Sequence, residues 1–346
     1  MKLFWVGLFY SLGVFRLARW LNRRRLVILT YHGVLPSTYG GDGDLSRNFI
    51  DERQFRRQMR YLSKRYRCLK LSEAIAALSS GRALPPHSSV VTFDDGFKNN
   101  LDYAYPILEE YRIPCAIFLT TGHIGNPSSL LWTEKVRLML YHSKQDSFSF
   151  RRDGVSLTLP LGASQQREEA SQTVLTAMKS ISPCQREKMI SDLETQLGEI
   201  DGAQGCPERY AFLSWEEISK ADSSLVEWGS HTINHQILST LSNTELSNEI
   251  EFSKREIEER LRKSCLLFSY PNGSAADFGE RDKEALKKAG YLCAVTQMAG
   301  LNDSETDLYA LKRINIGRGH RDLLFIAQVS GVWSFFKKMI SWINEK

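Results

Sequence analysis

Two short segments, far apart in the chain, carry residue types suited to metal-assisted chemistry. The first is Thr92-Phe93-Asp94-Asp95-Gly96, where two adjacent carboxylates close the apolar run Val90-Val91. The second is His231-Thr232-Ile233-Asn234-His235, which follows another apolar run at 225–229. Histidines four apart project both imidazoles from one face of a helical turn. One carboxylate and two imidazoles make a three-ligand set for a divalent metal, with a position left open for water. The other carboxylate is then left over as a base. Taken singly, an Asp-Asp pair is most often a turn or a helix cap, and a histidine pair is most often surface decoration or a satisfied core feature. Each here closes an apolar run, and together they point to one site.

A scaffold must bring these distant residues together. Seven strand-like runs are expected, at 26–31, 89–93, 115–120, 225–229, 265–270, 291–296 and 311–316. Helical patterns separate several of them. Phe55, Met59 and Leu62 recur at helical spacing after the first run. Ser242 and Glu245 form a capping-box signal for a helix whose Leu246, Ile250, Ile257 and Leu261 make one apolar stripe. Ser214 and Glu217 offer a similar start, and a helix at 284–289 ends at Gly290, a good C-cap. Strands alternating with helices imply a parallel sheet with right-handed crossovers. Seven of them suit an α/β fold of the incomplete (β/α)7 TIM-like barrel type. Chemistry in such barrels gathers at the carboxyl ends of the strands. His32, Asp94, Asp95, His231, Pro271 and Arg313 all lie at or near the end of a run.

The stretch 126–212 breaks the repeat. A hairpin-like segment at 148–159 turns at Asp153-Gly154, and polar helical sequence follows at 165–197. It reads as an inserted α+β segment that either shapes substrate access or decorates the surface. Trp132 and Trp215 flank it, as sugar-stacking platforms or as core. The expected organisation is an amphipathic helix over 1–25, the barrel over 26–320 with its insertion, and a second amphipathic helix over 321–346.

Composition narrows the class. With 42% hydrophobic and 25% charged residues, 346 residues can bury a large core. The formal charge of +5 is mild for this length, and no nucleic-acid module is present. The six cysteines show no C-x-x-C spacing. The apolar run 3–15 is short for a spanning helix and is followed by Arg16, Arg19 and Arg23-Arg24-Arg25, with no convincing cleavage site before Leu26. That segment and the aromatic, basic 323–343 region either pack on the barrel or lie on a membrane surface. A cytoplasmic location or a peripheral one at the membrane is expected; oligomeric state is not legible.

The two motifs resemble the first two signatures of the NodB-like polysaccharide deacetylases, carbohydrate esterase family 4. The resemblance implies a NodB-type barrel and hydrolytic N-deacetylation of N-acetylated amino sugars in a polysaccharide or lipid-linked glycan. It also implies a divalent metal, with Zn2+ as the default, held by Asp95, His231 and His235, and Asp94 as the base. A general acid is still required. His320 in Gly-Arg-Gly-His is poorly placed. His32 in Tyr31-His32-Gly33 resembles the early histidine of a subgroup with circularly rearranged motifs, in which it serves as the acid. The third signature departs from the family pattern: in Phe268-Ser269-Tyr270-Pro271-Asn272-Gly273, Ser269 stands where an arginine is usual. Arg313 is expected to take that role from the last strand. Tyr270, Pro271 and Asn272 are expected on the substrate side, with the Asn272 backbone amide as an oxyanion donor. These departures point to an exopolysaccharide-type branch. Two alternatives stay open: deformylation or deacylation of a lipid-carrier-linked sugar, and a non-catalytic carbohydrate-binding barrel.

Overall fold

A computed structural model of the chain describes residues 2–37, 48–126, 128–152, 155–200, 207–319 and 321–332. All seven expected runs contain a strand. They are β1 (Val27–Tyr31), β5 (Ser88–Phe93), β6 (Cys115–Leu119), β9 (Val226–Ser230), β10 (Leu267–Ser269), β11 (Cys293–Val295) and β12 (Ile314–Asn315). Five of these are shorter than the apolar runs that announced them. Shorter strands escaped the sequence reading: β2 (Gly33–Leu35) pairs with β3 (Phe49–Asp51), and β4 (Arg67–Cys68) pairs with the start of β5.

The main sheet runs β11-β10-β9-β6-β5-β1-β12, and every pairing in it is parallel. An isolated parallel bridge from Val295 to Leu311 links β11 towards β12, so the sheet curls almost into a ring. β1, β5, β6, β10 and β11 are buried on both faces, which is why they read as near-continuous apolar runs. Successive residues alternate between the two faces. Ile28, Val90, Phe118, Leu267, Cys293 and Val295 come from five strands into one cluster, which places them inside the ring. The helix Leu71–Ser79 adds Leu71, Ala74, Ile75 and Leu78 to that cluster. Leu29, Tyr31, Val91, Phe93 and Ile117 face outwards, in a layer shared with Phe55, Met59 and Leu62 of the helix Glu52–Arg65.

Capping fixes where the outer helices begin. Asp51 accepts from the Arg53 and Gln54 amides, and Ser214–Glu217 and Ser242–Glu245 form the expected reciprocal boxes. The insertion has its own core. Val136 and Met139 of the helix Trp132–His142 pack with Phe148 and Phe150 of β7 (Ser147–Arg152) and with Val174 and Met178 of the helix Ser164–Met178. β7 pairs antiparallel with β8 (Val155–Pro160), and Asp153-Gly154 between them lie outside the described residues. The helix Pro183–Leu197 completes the subdomain. At the amino end the helices Lys2–Ser11 and Val14–Leu21 pack on the helix Asp322–Val329 through Val6, Phe15 and Ala327. The segment 333–346 lies outside the described residues.

Candidate metal centre and active site

Except for the segment carrying Arg313, which leads into β12, the loops of the site leave the carboxyl ends of strands. β5 ends at Phe93, and Asp94 and Asp95 follow at once. In an extended chain these two side chains would point to opposite faces. Asp95 instead takes φ +76° and Gly96 φ +83°, and this left-handed pair turns the chain so that both carboxylates line one cavity. A Cβ on Gly96 would sit 3.0 Å from Leu119, so glycine is needed there twice over.

The His231–His235 segment is not helical. The expected helical turn is replaced by a loop with φ +69° at Thr232 and +54° at His235, and this loop brings the ring centroids to 4.9 Å. Glu249, buried in the helix Asn243–Leu261, holds it by accepting from the Ile233 and Asn234 amides at 2.7 and 3.0 Å and from Asn234 Nδ2 at 3.0 Å. From the insertion side Trp132 Nε1 donates to the His235 carbonyl oxygen at 3.3 Å, and the Arg186 guanidinium lies 4.5 Å over the Trp132 ring. Trp132 is thus part of the cavity wall and a support of the loop.

Asp95, His231 and His235 converge. Nε2 of each histidine lies 3.5 Å from Asp95 Oδ1, and the three donor atoms fall within 4.8 Å of one another. All three residues are buried, and Asp95 Oδ1 has no hydrogen-bond donor. An ion with ligand distances of ~2.0–2.2 Å separates tetrahedral ligand atoms by about 3.3–3.6 Å, so the triad fits a metal of this class. His231 Nδ1 lies 2.7 Å from the Ser269 carbonyl oxygen, which can only accept, so Nδ1 carries the proton and Nε2 offers its lone pair to the cluster. Burial disfavours the His231 imidazolium, but the carboxylates of Asp94 and Asp95 outweigh it and raise its pKa. The cluster therefore favours positive charge at its centre. Burial pushes His235 down to about 3, keeping it neutral as a ligand must be.

Asp94 is treated oppositely. Arg313 Nη1 donates to its Oδ1 at 2.8 Å and Nη2 to its Oδ2 at 2.7 Å. Ser269 Oγ and Gln297 Nε2 donate to the same carboxylate at 3.1 and 3.0 Å. Burial alone would raise the Asp94 pKa; the Arg313 charge, with His231 behind it, overcomes this and holds the carboxyl far below its usual range. Arg313 is itself fully buried and spends its remaining donors on the Thr296 carbonyl, Thr92 Oγ1 and Ser269 Oγ. It reaches Asp94 because β12 and β1 are paired neighbours and β5 lies beyond β1.

The remaining expected residues divide. His32, between β1 and β2, lines the cavity with its Nδ1 buried and unpaired. Asn272 lines it too, at φ +60°, with Nδ2 donating to Asp277 at 2.6 Å. Tyr270 does not: its ring stacks on Phe278 at 4.1 Å and its hydroxyl donates to the Tyr309 carbonyl. The reason is strand alternation, since Ser269 points to Asp94 and its neighbour must point away. Pro271 is a buried turn residue whose carbonyl accepts from the Gly273 amide. His320 lies outside the described residues.

Three participants escaped the sequence reading. Gln297 sits two residues past β11, where only the rule about strand ends would have marked it. Glu249 carries no local signal. Glu134, on the insertion, lines the cavity, and burial raises its carboxyl to about 7. The cavity is about 280 Å³, and the insertion also contributes Arg137, Leu175 and Lys179 to its wall.

An almost closed parallel ring with a buried carboxylate-histidine triad and a clamped second carboxylate at its strand ends defines a hydrolase of the deacetylase kind. The family model "Polysaccharide deacetylase" matches residues 81–147 and 186–294. The chain belongs to that family, whose members are hydrolases of carbon–nitrogen amide bonds. The unmatched gap between the two blocks covers most of the β7–β8 hairpin and the helix Ser164–Met178 of the insertion. A Bacillus subtilis protein named as a polysaccharide deacetylase, YxkH, is 21% identical over 309 residues, covering 89% of this chain and 77% of its own. The poly-beta-1,6-N-acetyl-D-glucosamine N-deacetylase of Staphylococcus epidermidis is 31% identical over 114 residues, 30% of this chain and 39% of its own. The Streptococcus pyogenes deacetylase PplD, solved in complex with acetate, shares the fold with a TM-score of 0.58 at 17% identity, covering 88% of this chain and 98% of that one.

Proposed function

We propose that the protein is a metal-dependent N-deacetylase of N-acetylated amino sugars in an exopolysaccharide. The observation that carries this reading is the pairing of two unlike sites in one cavity: an acceptor-rich triad beside a carboxylate fixed by a buried arginine. Asp95, His231 and His235 would hold a divalent ion, with zinc the first candidate for a His2Asp set. Such an ion, when bound, lowers the pKa of water and polarises a carbonyl. Asp94 is the base. Its clamp keeps it ionised and aimed. His32 is the acid that protonates the leaving amine, and its buried, unpaired Nδ1 leaves the ring free to do so. The Asn272 backbone amide is an oxyanion donor. The relative in Staphylococcus epidermidis bears the name of an enzyme acting on a poly-N-acetylglucosamine, and that polymer class is the first to try.

The test is acetate release from poly-N-acetylglucosamine and from chito-oligosaccharides by the purified protein. Release is expected with zinc or cobalt, lost with a chelator and restored by the metal. Undiminished release after complete metal removal would overturn the metal assignment. Family membership and the intact residue set leave the binding-only alternative without support.

A further inference from the structure

The amino-terminal helices present an apolar face that nothing in the described chain covers. Nine large hydrophobic side chains remain exposed among the described residues, and six of them fall between Leu8 and Leu21. Leu12, Leu17, Trp20 and Leu21 are each more than half exposed. The opposite face of the same helices is docked, through Val6 and Phe15, on the helix Asp322–Val329. Among the described residues the segment is therefore anchored on one side and open on the other. Scattered exposed leucines need no explanation, but a contiguous group on one short stretch does.

Charge selects the partner. Residues 1–26 carry six cations, Lys2, Arg16, Arg19, Arg23, Arg24 and Arg25, and no acidic residue. Arg25 pairs with Asp303, and Arg19 is engaged with the Tyr61 hydroxyl. Arg23 lies 4.3 Å over the Trp20 ring, an amphipathic unit with a flat apolar body and a cationic edge. Arg16 and Arg24 are exposed and form no ion pair with another described residue. Apolar side chains flanked by uncompensated arginines and an exposed tryptophan match the boundary of a bilayer rich in anionic lipid. No described helix is long and apolar enough to cross a membrane, so the contact is one of lying in the interface. A second copy of the chain fits less well, because a face with no acid would meet itself as like charge.

We infer that the helices spanning residues 2–21 dock the protein on anionic membrane surfaces, with Leu17, Trp20 and Leu21 entering the headgroup boundary and Arg16 and Arg24 pairing with lipid phosphates. The proposal is independent of the deacetylase reading, since these residues lie outside the metal cavity.

The test is co-sedimentation of the full chain with phosphatidylcholine vesicles, with and without phosphatidylglycerol, at low and high salt. Binding is expected only to the anionic vesicles and is expected to weaken as salt rises. Arg16→Gln and Arg24→Gln should each weaken it about fivefold, the contribution of one surface cation. Trp20→Ser with Leu21→Ser should abolish it, while acetate release from soluble oligosaccharide and the melting temperature stay at wild type. Equal binding to neutral and anionic vesicles, or none at low salt, would overturn the proposal. So would a dimer in solution that Trp20→Ser dissociates, because the face would then belong to a second copy.

Discussion

Asp94 and Asp95 are adjacent in sequence, equally buried and chemically identical, yet the fold gives them opposite surroundings. Asp94 accepts four hydrogen bonds, two of them from one guanidinium. Asp95 has an oxygen with no donor and faces two imidazole nitrogens. A buried carboxylate without partners is costly, so a protein that retains one beside a fully paired neighbour has left room for a cation. The contrast teaches that role is set by which strand supplies the partner. The segment leading into β12 gives Asp94 its arginine, and the loop after β9 gives Asp95 its histidines.

Exchanging each oxygen for an amide breaks the comparison most sharply. Asp95→Asn is expected to lose the bound ion, by elemental analysis, together with all measurable turnover. Asp94→Asn is expected to keep the ion and lose turnover by about 10²–10⁴-fold. Ion loss in the second variant with retention in the first would exchange the two roles. Next in size is Arg313→Met, which leaves Asp94 charged and buried with no counter-charge from Arg313 and only the Ser269 and Gln297 donors. Destabilisation of roughly 3–5 kcal/mol is expected by denaturant titration. A loss below about 1 kcal/mol would mean that water enters to replace the guanidinium.

His32→Ala sharpens the chemistry. Amide hydrolysis needs a protonated leaving amine, whereas an activated ester does not. The variant should therefore fail on N-acetyl substrates and retain aryl acetate cleavage; equal losses on both would make His32 structural. A smaller effect is expected from Glu249→Gln, which loosens the loop between the two histidines without touching the ion. Metal affinity should fall about 10–100-fold by calorimetric titration, with the fold intact by circular dichroism.

The smallest effect concerns pH. Burial holds His123 down at about 4, below its ordinary 6.5, and its Nδ1 lies 2.6 Å from Ser129 Oγ. The unfolded chain binds more protons than the folded one between these values. Its contribution to stability is therefore present above the unfolded pKa and lost as pH falls towards 4. His123→Gln should flatten the fall in melting temperature over that window; an unchanged slope would assign it to other groups.

Much of this site was legible because its residues close apolar runs. Asp94, Asp95, His231, His235 and His32 each announce themselves by type at a strand end. The place of Arg313 followed from topology, since first and last strands of a curled parallel sheet are neighbours. Ser269 was visible only as a departure from a pattern; its hydroxyl in fact joins Arg313 to Asp94. Tyr270 was misjudged because a motif written as a string hides the alternation of a strand. The helical turn expected at 231–235 failed because spacing alone cannot show positive φ. Glu249 and Gln297 were hidden for another reason: their partners lie across the fold, and no local periodicity records a contact of that range.

The position of Arg313 also sets a clock. A ribosome delivers Asp94, Asp95 and both histidines well before it delivers the last strand, a lag of roughly ten seconds at ordinary synthesis rates. Until that strand docks beside β1, Asp94 has no guanidinium and the ring has no final wall. A chain that ends before Arg313 carries Asp95 and both histidines but lacks the clamp on Asp94. On the proposed roles, hydrolysis switches on only after Arg313 has been delivered and docked, and chains that stop short of it stay silent.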